Sequence, residues 1–348
     1  MSSVPMVRCV LGDVEPQRLG RIDYHEHLFQ VSRLLPGDEL DDEAKSTEEA
    51  AALRVSGFDC MVDATPAGLG GRPAALARAS TAAGLHIVAT TGAHREAHYD
   101  PAHPLLSASV SRLAQWFEHD ITVGLPADEQ DRGGAIARTP SHQPVRAGML
   151  KAGIGYWSIT RFEHRVLEAV AAVHHRAAAP IMIHLEHGSA AFEVLDILAG
   201  HGVDASAVVL AHIDRNPDPV LHAELAARGA YLGYDGAARS QRWPDSLLLD
   251  TMIAAAAAGA GERIVLGGDV ARRSRYLAYG GMPGLGYLGA RFVPRLIQVG
   301  GAELAAAVLA GNPQRLLARP YDRTAADRPG RVPPRAGYHG GPPYPLLT

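Results

Sequence analysis

Lysine is nearly absent from this sequence: of 33 basic residues only Lys45 and Lys151 are lysine, and the remaining 31 are arginine. Cysteine is equally scarce. Cys9 and Cys60 stand alone, without a Cys-x-x-Cys spacing, which excludes a disulfide framework and a thiolate metal cluster. No block of like charge occurs and the net charge is −4, so nothing favours a nucleic-acid or polyanion partner. Apolar runs such as 254–258 fall far short of the ~20 residues that a membrane span needs. The opening MSSVPMVRCVLGDVEP lacks the apolar core of a signal peptide. No G-x-G-x-x-G follows the first apolar run, which argues against a dinucleotide site. What these absences leave is a cytoplasmic enzyme acting on a small molecule, with no membrane or nucleic acid involved.

What is present is a regular alternation. Short apolar runs at 21–28, 60–64, 86–91, 145–151, 180–185, 207–212, 230–234 and 263–268 read as strands. Between them lie Ala-rich amphipathic stretches at 48–55, 73–83, 161–178, 190–199, 219–227 and 246–258, several ending at a glycine such as Gly84, Gly200 or Gly229. Eight strand–helix units predict an α/β fold, a closed (β/α)₈ TIM barrel. The expected organisation is one barrel domain over 1–319, with a short N-terminal cap at 1–20 and an extended Pro/Gly-rich tail at 320–348. The polar stretch 125–144 reads as a surface insertion.

Seventeen histidines accompany the two lysines, and several fall at informative places. In RIDYHEHLF, His25 and His27 lie two apart at a strand end, where alternation puts both on one face. His184 closes the fifth strand, His212 closes the sixth, and Asp269 follows the eighth. Lys151 ends the fourth. Each is a polar residue at the C-terminal edge of an apolar strand, the catalytic rim of such barrels, and together they predict a metal site. Other histidines read differently: His94 and His98 as lining a pocket mouth, His187 as a loop residue, His174 and His175 as helix surface. Glu26 reads as a packing or supporting partner.

The order H-x-H, Lys, His, His, Asp over strands one, four, five, six and eight resembles the phosphotriesterase family of the amidohydrolase superfamily. The resemblance runs from LGDVEPQRLGRIDYHEHL through RAGMLKAG, IMIHLEHG and VVLAHID to IVLGGD. It implies two divalent metal ions, Zn²⁺ first with Mn²⁺ or Co²⁺ as alternatives. His25, His27 and Asp269 would hold one, and His184 and His212 the other. Carboxylated Lys151 and a hydroxide would bridge them, the hydroxide being the nucleophile and Asp269 the proton shuttle. Arginine could not replace that lysine, because its pKa above about 12 leaves no neutral amine to react with carbon dioxide. A homodimer is the assembly that the resemblance implies.

The loops after strands seven and eight are basic, with Arg239 and Arg242 in the first and Arg272, Arg273 and Arg275 in the second. Barrel phosphate sites are frequently built there. The pattern D-x-x-R…Y-GG-PGL is similar to a branch of the family acting on sugar lactones that carry a phosphate. An aromatic hydroxyl belongs three residues after Arg272 in that pattern; here Arg275 takes the place and Tyr276 follows it. The expected substrate contacts are therefore Arg272, Arg275, Tyr276, Tyr279, His94 and Arg242. The expected activity is hydrolysis of a lactone or phosphoester. Amide or cyclic-imide hydrolysis and phosphotriester hydrolysis on the same metals are the alternatives, followed by a non-catalytic binding protein.

Overall fold

The eight apolar runs form one parallel sheet of eight strands, each hydrogen-bonded to its neighbour in chain order. In the computed structural model, which describes residues 5–239 and 243–320, the strands are β1 (Pro5–Cys9), β2 (Gly12–Val14), β3 (Ile22–Glu26), β4 (Cys60–Asp63), β5 (His86–Gly92), β6 (Ala147–Ile154), β7 (Ile181–Leu185), β8 (Val208–Ala211), β9 (Tyr231–Tyr234), β10 (Ile264–Leu266) and β11 (Arg319–Pro320). Strands β3 to β10 make the barrel. The helices are α1 (Glu43–Val55), α2 (Pro73–Ala83), α3 (Pro104–Ser107), α4 (Val110–Thr122), α5 (Arg161–Ala177), α6 (Ala191–Gly200), α7 (Pro219–Ala227), α8 (Asp245–Ala255), α9 (Val293–Ala306) and α10 (Asn312–Leu317). This is the expected (β/α)₈ barrel.

Alternation along the strands sorts side chains into two apolar layers. Val62, Val88, Met149, Met182, Val209 and Val265 fill the inside of the barrel. Met61, Ile87, Leu150, Ile181, Ile183, Leu210, Leu232 and Ile264 pack outward against the helices. His184 follows the inward parity of Met182, and so points where the site is built. The seam between the first and last barrel strands closes at the site itself: Asp269 N–H donates to His25 O at 2.9 Å.

Two elements depart from the simple pattern. Between Asp23 and Glu26, β3 carries one residue more than β4 opposite it. A bulge of this kind re-aims side chains beside active sites, and it lets the consecutive residues Tyr24 and His25 both reach Asp235. Strict alternation would have sent one of them outward. Strand β6 also runs three residues beyond Lys151, because Gly153 and Ile154 continue the ladder with His184 and Leu185 on β7. Lys151 is therefore mid-strand, not terminal.

At the opposite end of the barrel, β1 pairs antiparallel with β2 and with β11, so the expected N-terminal cap is a hairpin joined by the far end of the described chain. The stretch 125–144 is tied down more firmly than a surface insertion: Glu129 accepts the N–H groups of Gly68 and Gly70 at 3.2 and 2.9 Å. Arg132 pairs with buried Asp120 at 3.1 Å. The run Leu288–Leu317 is a helix long and apolar enough to cross a membrane by length and composition. Here it supplies Leu288, Phe292, Leu296, Val308 and Leu309 to the outer layer of the barrel. Arg242 and the tail beyond residue 320 lie outside the described residues.

Candidate metal centre and cavity

Six polar side chains buried at the rim converge at the C-terminal ends of the strands: His25, His27, Lys151, His184, His212 and Asp269. They line a cavity of about 390 Å³. The rim residues that the sequence singles out all reach one place. Two of the six occupy left-handed backbone, His212 at φ 66° and Asp269 at φ 44°. Such positions are sparsely populated by non-glycine residues and cluster at functional sites. Gly92, at φ 118°, ends β5 beside Lys151, and a side chain there would collide with the Lys151 backbone.

Each imidazole is oriented by its rear nitrogen. Asp235 takes His25 Nδ1 at 3.2 Å and His212 Nδ1 at 2.6 Å, and accepts the Tyr24 hydroxyl as well. Thr65 Oγ1 lies 2.8 Å from His27 Nδ1. The forward nitrogens of His25 and His27 each lie 3.7 Å from Asp269 Oδ1. That separation is too long for a hydrogen bond, yet it suits donors sharing an ion about 2.0–2.2 Å from each. His25 Nε2 is buried without any hydrogen-bond partner. Unsatisfied buried nitrogen is rare and calls for a reason; a cation at this point supplies one. The residues fit the metal.

Asp235 also falls within ligand distance of His25 and His212. Its oxygens, however, are already engaged by two ring nitrogens, the Tyr24 hydroxyl and the His212 backbone N–H at 3.1 Å. Carboxylates so placed orient metal ligands instead of binding the ion. On the far side, His184 Nδ1 and His212 Nε2 face each other at 2.8 Å. Lys151, fully buried, donates from Nζ to Ala64 O at 2.7 Å.

The electrostatics favour the protonation states a cation requires. Burial drives the His27 and His184 pKa values well below the usual range, with Lys151 adding to the effect on His27 and His94 to that on His184. His212 is pushed down to about 3, mainly by burial and then by Arg215. The Lys151 ammonium is pushed down to about 8 by burial, although Asp269 and Asp63 oppose the shift. Burial alone would raise the Asp269 carboxyl, but Arg239, His212, His25 and Arg215 hold it far below the ordinary carboxylate range.

The basic loops reach the same carboxylate. Arg215 Nη2 pairs with Asp269 Oδ2 at 2.8 Å, and Arg239 pairs with it more closely still. Arg275 lines the cavity but spends its guanidinium on the backbone carbonyls of Asp269 and Ala237, at 3.1 and 3.3 Å. Arg272 also lines it, half-exposed and 3.8 Å from Asp38. His94 and His98 form another part of the lining, and His187 a further, more exposed part.

Tyr276 and Tyr279 do not line the cavity. Tyr276 is buried and its hydroxyl donates to His27 O. Tyr279 turns away to Ser46 and to the Asp42 backbone. Position along the loop does not reveal which side of a 3₁₀ turn faces inward, and both tyrosines fall in such turns or beside them. Sequence reasoning missed Asp235 and Arg215. Asp235 ends the run YLGY just as His212 ends VVLA, so the strand-end signal was present. Arg215 lies in the turn after His212 and carried no such mark.

A sequence model described as the phosphotriesterase family matches residues 5–317. A phospho-furanose lactonase of Mycoplasmopsis agalactiae is 30% identical over 345 residues, spanning 92% of this chain and 95% of that protein. The crystal structure of a lactonase from Listeria monocytogenes superposes with a TM-score of 0.81 at 29% identity, covering 90% of this chain and 98% of its own. A phosphotriesterase homology protein from Escherichia coli, crystallised with phosphate in its active site, gives 0.76 at 27% identity over 86% and 99% of the two chains.

Proposed function

The chain belongs to the phosphotriesterase family and is a metal-dependent hydrolase of small molecules; from that premise we propose that it opens a lactone bearing an anionic group, at a centre of two divalent ions. One observation carries the reading: the same Asp269 carboxylate faces the unpartnered His25 nitrogen on one side and the Arg215 and Arg239 guanidiniums on the other. A metal site and an anion site therefore share a residue.

In this reading His25, His27 and Asp269 hold one ion, and His184 and His212 the other. Lys151, once carboxylated, would supply a further oxygen ligand to the centre. Imidazole and carboxylate donors suit zinc, with manganese or cobalt as alternatives. When bound, the ions would bring a shared water toward ionisation at neutral pH and polarise the scissile carbonyl. The residues of the chain do the rest. Asp235 and Thr65 keep the forward ring nitrogens aimed inward. Asp269 cannot carry a proton while two guanidiniums hold it as an anion. A phosphate on the substrate offers Arg215 and Arg239 another partner, so binding of the right substrate releases Asp269 to move a proton toward the leaving oxygen. Arg272 is free enough to follow the anion, whereas Arg275 keeps the loop in place.

The working unit is the barrel domain of residues 1–319, in the cytoplasm and as a homodimer. The test is elemental analysis of the purified protein together with turnover of lactones with and without phosphate, amides, imides and phosphotriesters. About two ions per chain and preference for a phosphorylated lactone are expected. One ion or none at full activity overturns the binuclear centre. Preference for an amide or a phosphotriester moves the reading to that class, and bound metal with no turnover of any of them makes this a binding protein.

A further inference from the structure

Asp235 and Thr65 stand behind His25, His27 and His212, but neither reaches His184. That ring depends on its neighbour two residues on. Leu185 is extended, at φ −106° and ψ 115°, so His184 and Glu186 project to the same side of the chain. The strand then ends in a 3₁₀ turn, Glu186–Gly188, with His187 in left-handed backbone at φ 55°. Ser189 fastens this turn by giving both its N–H and its hydroxyl to Glu186 O, at 3.2 and 2.7 Å. The Glu186 carboxylate comes to rest beside the ring, with Oε2 3.1 Å from His184 Nε2.

The partners decide where the hydrogens must sit. Asp235 accepts the Tyr24 hydroxyl and the His212 backbone N–H, and its Oδ1 lies 2.6 Å from His212 Nδ1. A carboxylate among donors accepts, so His212 carries its hydrogen on Nδ1 and turns a bare Nε2 toward His184 Nδ1, 2.8 Å away. For His184 Nδ1 to join His212 Nε2 on one ion it must be bare as well, with its hydrogen on Nε2. Glu186 Oε2 is the atom that meets that nitrogen. The same oxygen takes Arg95 Nη2 at 2.8 Å, and a guanidinium can only donate, so Oε2 is held as an acceptor. The other oxygen, Oε1, lies 3.4 Å from His187 Nε2.

We propose that Glu186 is a positioning residue: it fixes the His184 tautomer that leaves Nδ1 free for an ion, and Arg95 steadies Glu186 in turn. The proposal rests on the two-ion reading of the site and adds to it how the His184 ring is aimed. Carboxylates behind metal-binding imidazoles set both ring orientation and ligand strength. This one differs from Asp235 in its setting. Asp235 is fully buried, whereas the Glu186 side chain is 20% exposed and lines the cavity, so it faces the same space as the substrate.

The test reads metal binding and ring hydrogens, not turnover. Zinc is titrated against a chelator in the full-length protein and in three variants, Glu186→Ala, Glu186→Gln and Arg95→Gln. In Glu186→Ala the affinity for one ion should fall about 10- to 100-fold while the other ion is held as before. Glu186→Gln keeps a carbonyl oxygen that can accept the Nε2 hydrogen, and should recover most of that loss. Arg95→Gln leaves the contact between Glu186 and His184 in place and should cost less, about threefold. With ¹⁵N-labelled histidine, the zinc-loaded native protein should show His184 with hydrogen on Nε2 and zinc on Nδ1. That hydrogen should exchange with water faster in Glu186→Ala. Hydrogen on His184 Nδ1, unchanged zinc affinity in Glu186→Ala, or no recovery in Glu186→Gln would overturn the proposal. So would a loss in Arg95→Gln as large as that in Glu186→Ala, which would make Glu186 half of an ion pair that props the loop. The two readings fail separately. A native protein that holds one ion sinks the two-ion centre by itself; the role of Glu186 then stands if that ion is weakened in Glu186→Ala, and falls if it is not.

Discussion

Arg239 and His94 line the same cavity and are held in opposite ways. The guanidinium wall, from the loops after β8, β9 and β10, is already paired: Arg215 and Arg239 to Asp269, and Arg275 to two backbone carbonyls. The imidazole wall, from the loop after β5, has its rear nitrogens engaged, His94 Nδ1 by the Arg95 N–H and His98 Nδ1 by Ser32 Oγ. The difference follows from charge. A guanidinium stays cationic at any accessible pH, so tucking it into the wall calls for an anion, as at Arg215 and Arg239, or for carbonyl acceptors, as at Arg275. A neutral imidazole has no charge to balance, and one hydrogen bond at its rear nitrogen holds it in place. One wall is thus suited to exchange an internal carboxylate for the anion of a substrate, while the other carries no charge that has to be balanced.

Between the walls lies Lys151, and its removal should have the largest effect. Lys151→Arg keeps the positive charge but cannot form a carbamate. Turnover should fall at least about 10³-fold, with metal content dropping below two ions per chain, as read by elemental analysis. Wild-type activity in that variant would show the lysine to be dispensable. The carbamate itself has a pH signature. Neutral amine is the form that reacts with carbon dioxide, and burial brings the Lys151 ammonium down to about 8. Uptake of ¹³C-bicarbonate by metal-free protein should therefore rise roughly tenfold from pH 7 to pH 9 and then level off. An ordinary lysine would still be climbing at pH 10.

Next in size is the support beneath the metal. Asp235→Asn leaves a carboxamide between His25 and His212, so one of its two ring contacts meets an N–H where it needs an oxygen. Metal affinity should fall about 10- to 100-fold, measured by competition with a chelator, while the order of preference among substrates stays the same. A changed preference would mean that Asp235 touches substrate.

The guanidinium wall can be tested against itself. Arg239→Gln removes a cation from Asp269, and kcat/KM for a phosphorylated lactone should fall about 100-fold, much further than for the neutral lactone. Arg272→Ala should cost less, about 3- to 10-fold, because Arg272 is half-exposed and solvent screens it. The reverse ranking would shift the anion site outward, to the position that loop resemblance alone suggested.

Much of this was legible before the structure, and the reason is geometric. His184, His212 and Asp269 each interrupt or end a buried apolar run, so a linear sequence displays them. Asp63 and Asp235 end runs of the same kind, but a lone carboxylate at a strand end does not show in sequence whether it binds an ion or orients a neighbouring ring. The bulge in β3 could not be read at all, since it depends on the register between β3 and β4. Nor could the pairing of Arg215 with Asp269, 54 residues apart in sequence. Arg242 lies outside the described residues, and its role stays an expectation from the loop sequence.

Tyr276 gives the smallest effect and separates the loop pattern from the observed geometry most cleanly. The pattern makes it a substrate contact, whereas its hydroxyl is buried against the carbonyl of His27. Tyr276→Phe removes one buried hydrogen bond, for a loss of about 1 kcal/mol and a fall in Tm of about 1–2 °C in a chain of this length. His27 is one of the proposed ligands, so slackening its carbonyl should weaken metal retention slightly, by about threefold or less. Neither wall is touched. The ratio of kcat/KM between phosphorylated and plain lactones should stay as in the native protein. A loss confined to phosphorylated substrates would return Tyr276 to the anion site, and would require the loop after β10 to turn that side chain inward when substrate binds.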